Sequence, residues 1–301
     1  MASLFLLAAL GADPDLQTIV AALKAREANW KTFQVAVRTS SMQSLGAKLQ
    51  NAKQAKVQVP VRGVALLDGD SAGRFRYETF GDTIGNDAAG ALTVRRRSRG
   101  VTVGGARTAL EKKTGASERT ISHFGPALHA SIDPRSLLSG LRPDRTLSAE
   151  IARAAKATVA RAPQAGEKIL QLEIEYHVPA SGRDLGKGFY LLDEDHGYVV
   201  MAHENWRGVH AGMQRKLLER TTYSQLSEVK PGYWLPTAAV YEQFLPDPRR
   251  ADGALMLSEK SELSYVDWKI DDPLPTELFN DVPRERLAES DLPPTSAAPP
   301  K

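Results

Sequence analysis

From Phe33 to Ile270 the sequence returns repeatedly to a period of two, and this alternation restricts the fold more than any other feature. Phe33, Val35 and Val37 alternate with Gln34, Ala36 and Arg38. Val57, Val59 and Val61 alternate with Gln58, Pro60 and Arg62. Phe75, Tyr77 and Thr79 alternate with Arg74, Arg76 and Glu78, and Leu170, Leu172, Ile174 and Tyr176 alternate with Gln171, Glu173, Glu175 and His177. Strands of this kind bury one face and wet the other, which is the signature of an antiparallel sheet. Further strands are predicted over 188–192, 198–202, 217–227, 233–244, 255–264 and 265–270. Turn clusters such as Asp193-Glu194-Asp195-His196-Gly197 and Lys230-Pro231-Gly232 separate them. Serial strands joined by short turns form a meander. Pro60 cannot donate to a ladder, so its strand is expected to be an edge or to bulge there.

Helices interrupt this pattern in few places. Asp13-Pro14-Asp15 reads as a helix start, with Asp13 as the cap, Pro at the first helical position and a second acid near the positive end of the dipole. Leu16, Ile19, Val20, Leu23 and Trp30 follow at helical spacing, which predicts an amphipathic helix to about Lys31. Met42, Leu45 and Leu49 suggest a short helix. Asp133-Pro134 opens another, and an Ala-rich helix is predicted from Leu147 to about Val159 with Leu147, Ile151, Ala154 and Ala155 inward.

The segment Leu4–Leu10 is a short apolar run closed by Gly11 and Ala12, which reads as the core and cleavage site of a secretory signal, although Met1-Ala2-Ser3 carries no basic residue. Residues 291–301 are rich in Pro and small residues and read as a disordered tail. The expected organisation is therefore a signal peptide over 1–12, a single α+β domain over 13–290 and the tail. No stretch reaches the roughly 18 consecutive apolar residues of a membrane span. The chain has 39 basic and 36 acidic residues, a balance that argues against a nucleic-acid partner. It has no Cys, which removes disulfides, thiolate metal sites and cysteine nucleophiles.

Several fragments imitate catalytic or binding motifs. Ser227-Glu228-Val229-Lys230 and Lys113-Thr114-Gly115 match pieces of penicillin-binding enzymes, but they occur in the reverse order. Gly182–Gly188 is one residue short of a phosphate loop and has Gly188 where the magnesium-binding hydroxyl belongs. His203-Glu204 lacks a second His at zinc-peptidase spacing, the next being His210. Asp193-Glu194-Asp195 lacks the distal Glu of a calcium loop. No catalytic constellation, metal site or cofactor is expected. The run Arg95-Arg96-Arg97-Ser98-Arg99 is the one concentrated charge; it reads as a solvated edge strand or loop, or as a seat for an anionic headgroup.

Four segments, in order, carry a family resemblance. They are the helix-to-strand passage Trp30-Lys31-Thr32-Phe33; the strand Gly73-Arg74-Phe75-Arg76-Tyr77-Glu78; the late strand Gly232-Tyr233-Trp234-Leu235-Pro236-Thr237; and Leu278-Phe279 with Pro283 near the acidic end. Together they resemble the periplasmic lipoprotein-carrier (LolA-like) superfamily, across most of residues 1–290. The chain is long for a carrier, and the basic-Pro pair before the Phe-Arg-Trp-like strand is missing. The resemblance implies one long, curved antiparallel sheet, an unclosed barrel, with helices covering its concave face. It also implies a non-enzymatic protein of the periplasm or exterior that holds a lipid, acyl chain or lipidated peptide between sheet and helices. The alternative on the same fold is a sensor or interaction module that contacts an envelope protein. The expected ligand lining is Phe75 and Tyr77 with Leu170, Leu172, Ile174 and Tyr176, and Arg76 near an anionic headgroup.

Overall fold

A computed structural model describes residues 15–44, 57–72, 74–86, 92–103, 106–108, 133–140, 146–162, 164–176, 186–207, 215–250, 253–279 and 286–293. The fold is α+β: the described residues form twelve strands of an unclosed sheet that is antiparallel at every described pairing. The chain forms two compact units that interleave in sequence. The first comprises Met1–Asn29 and Ala130–Leu245, the second Trp30–His129 and Pro246–Lys301. The expected signal segment and the tail beyond Pro293 lie outside the described residues, as do Leu45 and Leu49.

The first unit begins with helix α1 (Leu16–Ala28). Its cap is Asp15 rather than Asp13, because the Asp15 carboxylate reaches the main-chain N–H groups of Gln17 (3.1 Å) and Thr18 (3.3 Å). The helix ends three residues earlier than expected, where Asn29 donates its N–H back to the Arg26 carbonyl at 3.0 Å. Helices α2 (Pro134–Ser139) and α3 (Leu147–Arg153) follow. The Ala-rich helix predicted to Val159 stops at Arg153. Ala154 is already extended, and β6 (Lys156–Arg161) takes over, with Val159 opposite Leu172 of β7 (Ile169–Glu175). The β-branched pair Thr158-Val159 gains more from cross-strand packing than from a third helical turn. Then come β8 (Lys187–Asp193), β9 (Val199–Arg207), β10 (Lys216–Lys230) and β11 (Tyr233–Pro246), in the spatial order β6-β7-β8-β9-β10-β11.

The second unit holds β1 (Thr32–Ser44), β2 (Gln58–Asp70), β3 (Phe75–Asn86), β4 (Leu92–Val103), β5 (Ala106–Thr108) and β12 (Leu255–Ile270), in the order β5-β4-β3-β2-β1-β12. The segments 255–264 and 265–270, predicted as separate strands, are one continuous strand. Met42 belongs to β1, opposite Pro60 of β2. The β2–β3 register runs from Gly63 to Gly69, so Pro60 lies beyond it and is tolerated in what is otherwise an interior strand. Phe33, Val35 and Val37 are buried, as their alternation requires. The Arg95–Arg99 run is part of β4 and pairs with β3, Arg99 lying opposite Phe80.

Candidate functional site

In the first unit, β7 presents Leu170, Leu172 and Ile174 to α1 and α3. All three are 0% exposed and form one cluster with Ile19, Leu23, Leu147, Ile151, Tyr190 and Leu192. Tyr176, just past the strand, is half-buried, and its hydroxyl hydrogen-bonds that of Tyr190 at 3.2 Å. Tyr190 in turn stacks on His203, with ring centroids 4.6 Å apart. The four expected lining residues of this unit thus lie together, beneath two of its helices.

The helices are fastened by polar contacts. Glu27, in the last turn of α1, accepts the Ser148 main-chain N–H at 2.9 Å and also the Ser148 hydroxyl. Arg26 donates to the Trp234 carbonyl at 2.6 Å and lies 4.5 Å over the Tyr233 ring. Burial pulls the Arg26 pKa below its ordinary value. The ring face meets a partly buried cation here, and the attraction is stronger than at an exposed site.

One side of α1 bounds a depression of about 280 Å³ lined by Leu16, Gln17, Val20, Ala21 and Lys24. Leu16 and Val20 also pack against the buried cluster, so its floor is continuous with the core. The lining is apolar apart from the Gln17 amide and the exposed Lys24 ammonium. The helical spacing of Leu16 and Val20 was readable, but spacing does not separate these two, which stay half-exposed, from Ile19 and Leu23, which are buried.

In the second unit the alternation of β3 runs opposite to the expected lining. Arg76 is 2% exposed and Glu78 0%, whereas Phe75 and Tyr77 are half-buried. Arg76 donates to Glu78 at 3.4 Å and to the Leu278 carbonyl at 3.5 Å. Glu78 also accepts the main-chain N–H groups of Arg286 (2.9 Å) and Leu287 (3.2 Å). The Arg286 guanidinium reaches buried Asp68 at 2.5 Å. Phe75, Arg76 and Tyr77 therefore belong to this unit's own sheet and network, and Leu170, Leu172, Ile174 and Tyr176 to the other unit.

The motif fragments have structural neighbours of their own. Ser227 lies in β10 opposite Leu235, and Lys230 donates to the Asn29 side-chain oxygen at 3.3 Å. The Asp193 carboxylate accepts the Asp195 N–H at 3.0 Å and meets His196 Nδ1 at 2.8 Å, which closes the hairpin tip. His210, Lys113–Gly115 and residues 182–185 lie outside the described residues.

No family model matches the chain, and no curated protein matches it. Solved structures do. A protein described as an outer-membrane lipoprotein-sorting domain, from Vibrio parahaemolyticus, aligns over 87% of this chain and 95% of its own, at 13% identity and TM-score 0.45. A LolA superfamily protein from Nitrosomonas europaea aligns over 88% and 96%, at 13% identity and TM-score 0.43. A DUF1329 family protein from Desulfovibrio piger aligns over 90% and 98%, at 9% identity and TM-score 0.44. The chain is similar in structure to these proteins.

Proposed function

We propose that the chain is an exported, non-enzymatic envelope protein that binds an apolar ligand, the acyl chain of a lipid or lipidated peptide, along α1 of its first unit. The observation that carries this reading is the α1 depression, with Leu16, Val20 and Ala21 as walls and Lys24 as its single charge. Its volume of about 280 Å³ lies just below the range of ligand sites, which run from roughly 300 to 1,000 Å³, and suits part of an acyl chain. Each methylene buried there contributes about 0.8 kcal/mol. An anionic headgroup at the mouth would meet Lys24. Arg76 is already engaged with Glu78, so the headgroup role is assigned to Lys24 instead. The Leu4–Leu10 run supports export, and N-terminal sequencing of the native protein is expected to begin near Gly11 or Ala12.

A second reading rests on the complete burial of Leu170, Leu172 and Ile174 under α1 and α3. A sheet face already filled by its own helices favours an interaction module that contacts a protein. Displacement of a fluorescent fatty acid separates the two. Saturable binding that is lost in Val20→Asp, with the variant still folded, supports the lipid site. Absence of saturable binding together with unchanged melting in lipid overturns it and leaves the interaction module.

A further inference from the structure

We infer that the β2–β3 face of the second unit is a peptide-recognition site, which the chain occupies with its own Arg286–Pro293 segment. The contacts are those by which a receptor reads an extended peptide. Glu78, fully buried on β3, accepts two successive main-chain N–H groups, those of Arg286 at 2.9 Å and Leu287 at 3.2 Å. Asp68, fully buried on β2, takes the Arg286 guanidinium at 2.5 Å, while Gln34 holds the other Asp68 oxygen at 2.5 Å. Leu287 is 7% exposed and packs on Val64 and Phe80, and Leu292 joins the same cluster. Downstream, Arg62 donates to the Pro293 carbonyl at 3.3 Å. Asp291, Leu292 and Pro293, where the tail was expected to begin, are part of this docked segment.

The chemistry distinguishes recognition from permanent packing. Two carboxylates removed from water are costly, and apolar residues of the same volume hold a segment at least as firmly. What ionic pairing adds is discrimination: a segment without a correctly placed Arg leaves the buried Asp68 with the neutral Gln34 amide in place of a cation. Main-chain N–H groups on Glu78 are indifferent to sequence, whereas the guanidinium and the Val64–Phe80 pocket select Arg followed by an apolar side chain. The fitting partner is therefore an extended protein segment with an Arg-Leu pair. Covalent attachment gives the cis segment an effective concentration on the order of millimolar, so a free segment competes only when the cis one is weakened. This site is independent of the acyl-chain reading for α1.

The test uses the full chain with Arg286→Ala and Leu287→Ala together, and a fluorescein-labelled peptide of residues 286–293. The double variant is expected to bind at least tenfold more tightly than the parent. Binding should fall at least tenfold when the peptide Arg is replaced by Ala or when Glu78→Gln is added to the protein. A double variant with parental circular dichroism that binds nothing at about 1 mM peptide, or binds a scrambled peptide equally, overturns the inference. Should the double variant unfold, hydrogen exchange on the parent decides. The Arg286 and Leu287 amides should open well before those of β2 and β3; exchange only through global unfolding would make the segment a fixed structural part.

Discussion

The Glu27 carboxylate grips Ser148 twice, through its main-chain N–H at 2.9 Å and through its hydroxyl, so the last turn of α1 satisfies a donor in the first turn of α3. Thr146 caps the same turn by accepting the Ala149 N–H at 3.2 Å. A seven-residue helix has few internal hydrogen bonds of its own, and its position depends on such external ones. Replacing Glu27 by Ala is expected to cost about 1.5–3 kcal/mol, the range for hydrogen bonds to charged groups. Glu27→Gln should cost less, because an amide oxygen still accepts. Urea denaturation of the two variants measures the difference.

Leu23 and its neighbour Lys24 should separate stability from binding. Leu23 is 1% exposed within the cluster that seals β7, and Leu23→Ala is expected to cost about 2–5 kcal/mol. Lys24 is exposed, so Lys24→Ala should change stability by no more than about 0.5 kcal/mol. The same substitution should weaken binding of an anionic amphiphile while leaving an uncharged one unaffected. Thermal melts and titrations with the two amphiphiles provide the comparison.

Two glycines with similar backbone conformations should respond very differently to Ala. Gly186 has φ of +90° and Gly232 has φ of +73°. At Gly232 nothing lies within 4 Å of an added Cβ, so Gly232→Ala should cost only the left-handed backbone penalty of about 1–2 kcal/mol. At Gly186 the Cβ would collide with the Trp206 carbonyl and sit 2.9 Å from the Arg207 Cγ, adding a further 1–3 kcal/mol or so of overpacking. Equal melting temperatures for the two variants would contradict the described geometry around Gly186.

The turn after β11 carries a pH dependence of known sign. Asp247 is held down to a pKa of about 2, chiefly by the Arg249 guanidinium, which donates at 2.6 and 2.8 Å, and then by the Arg249 main-chain N–H. Because the folded value lies below the ordinary 3.8, the stabilisation is fully present above about pH 4 and fades as pH falls through about 2. Carboxyl NMR titration should place the Asp247 midpoint near 2. Asp247→Asn should lower stability at neutral pH and converge with the parent in strong acid. At the alkaline end, burial pushes the Tyr223 hydroxyl above its ordinary pKa, so Tyr223 should remain neutral at a pH where exposed tyrosines ionise.

The strands were legible because half-buried strands write their burial as alternation, and Phe33-Val35-Val37 and Leu170-Leu172-Ile174 do so plainly. Which face of a strand becomes buried was less legible where both faces carry side chains that can be buried. On β3 the aromatic residues Phe75 and Tyr77 pointed to one face, yet Arg76 and Glu78 are the more buried pair. The Glu78 carboxylate is met by Arg286, 208 residues away, and no local pattern announces so distant a partner. The end of α3 was missed for a related reason: Ala154 and Ala155 suit a helix by propensity, but the Ala155 N–H is taken by the Glu175 carbonyl of a neighbouring strand at 2.9 Å. At the candidate site, the buried members Leu170, Leu172 and Ile174 were readable from spacing, whereas the open depression beside them depends on which α1 residues the core leaves uncovered.

Interleaving of the two units sets a timetable for synthesis. Strand β1 pairs on one side with β2, translated soon after it, and on the other with β12, whose end at Ile270 meets Phe33. The Lys31 N–H finds the Asp271 carboxylate 240 residues downstream. At about 5–20 residues per second, the β12 side of β1 stays unpaired in the nascent chain for roughly ten seconds or more. An unpaired strand edge is a template for aggregation over that interval. A stop codon after Leu245 would keep every residue of the first unit but strip Pro246–Lys301, β12 included, from the second. Until the last strand arrives, β1 can be paired on its β2 side alone.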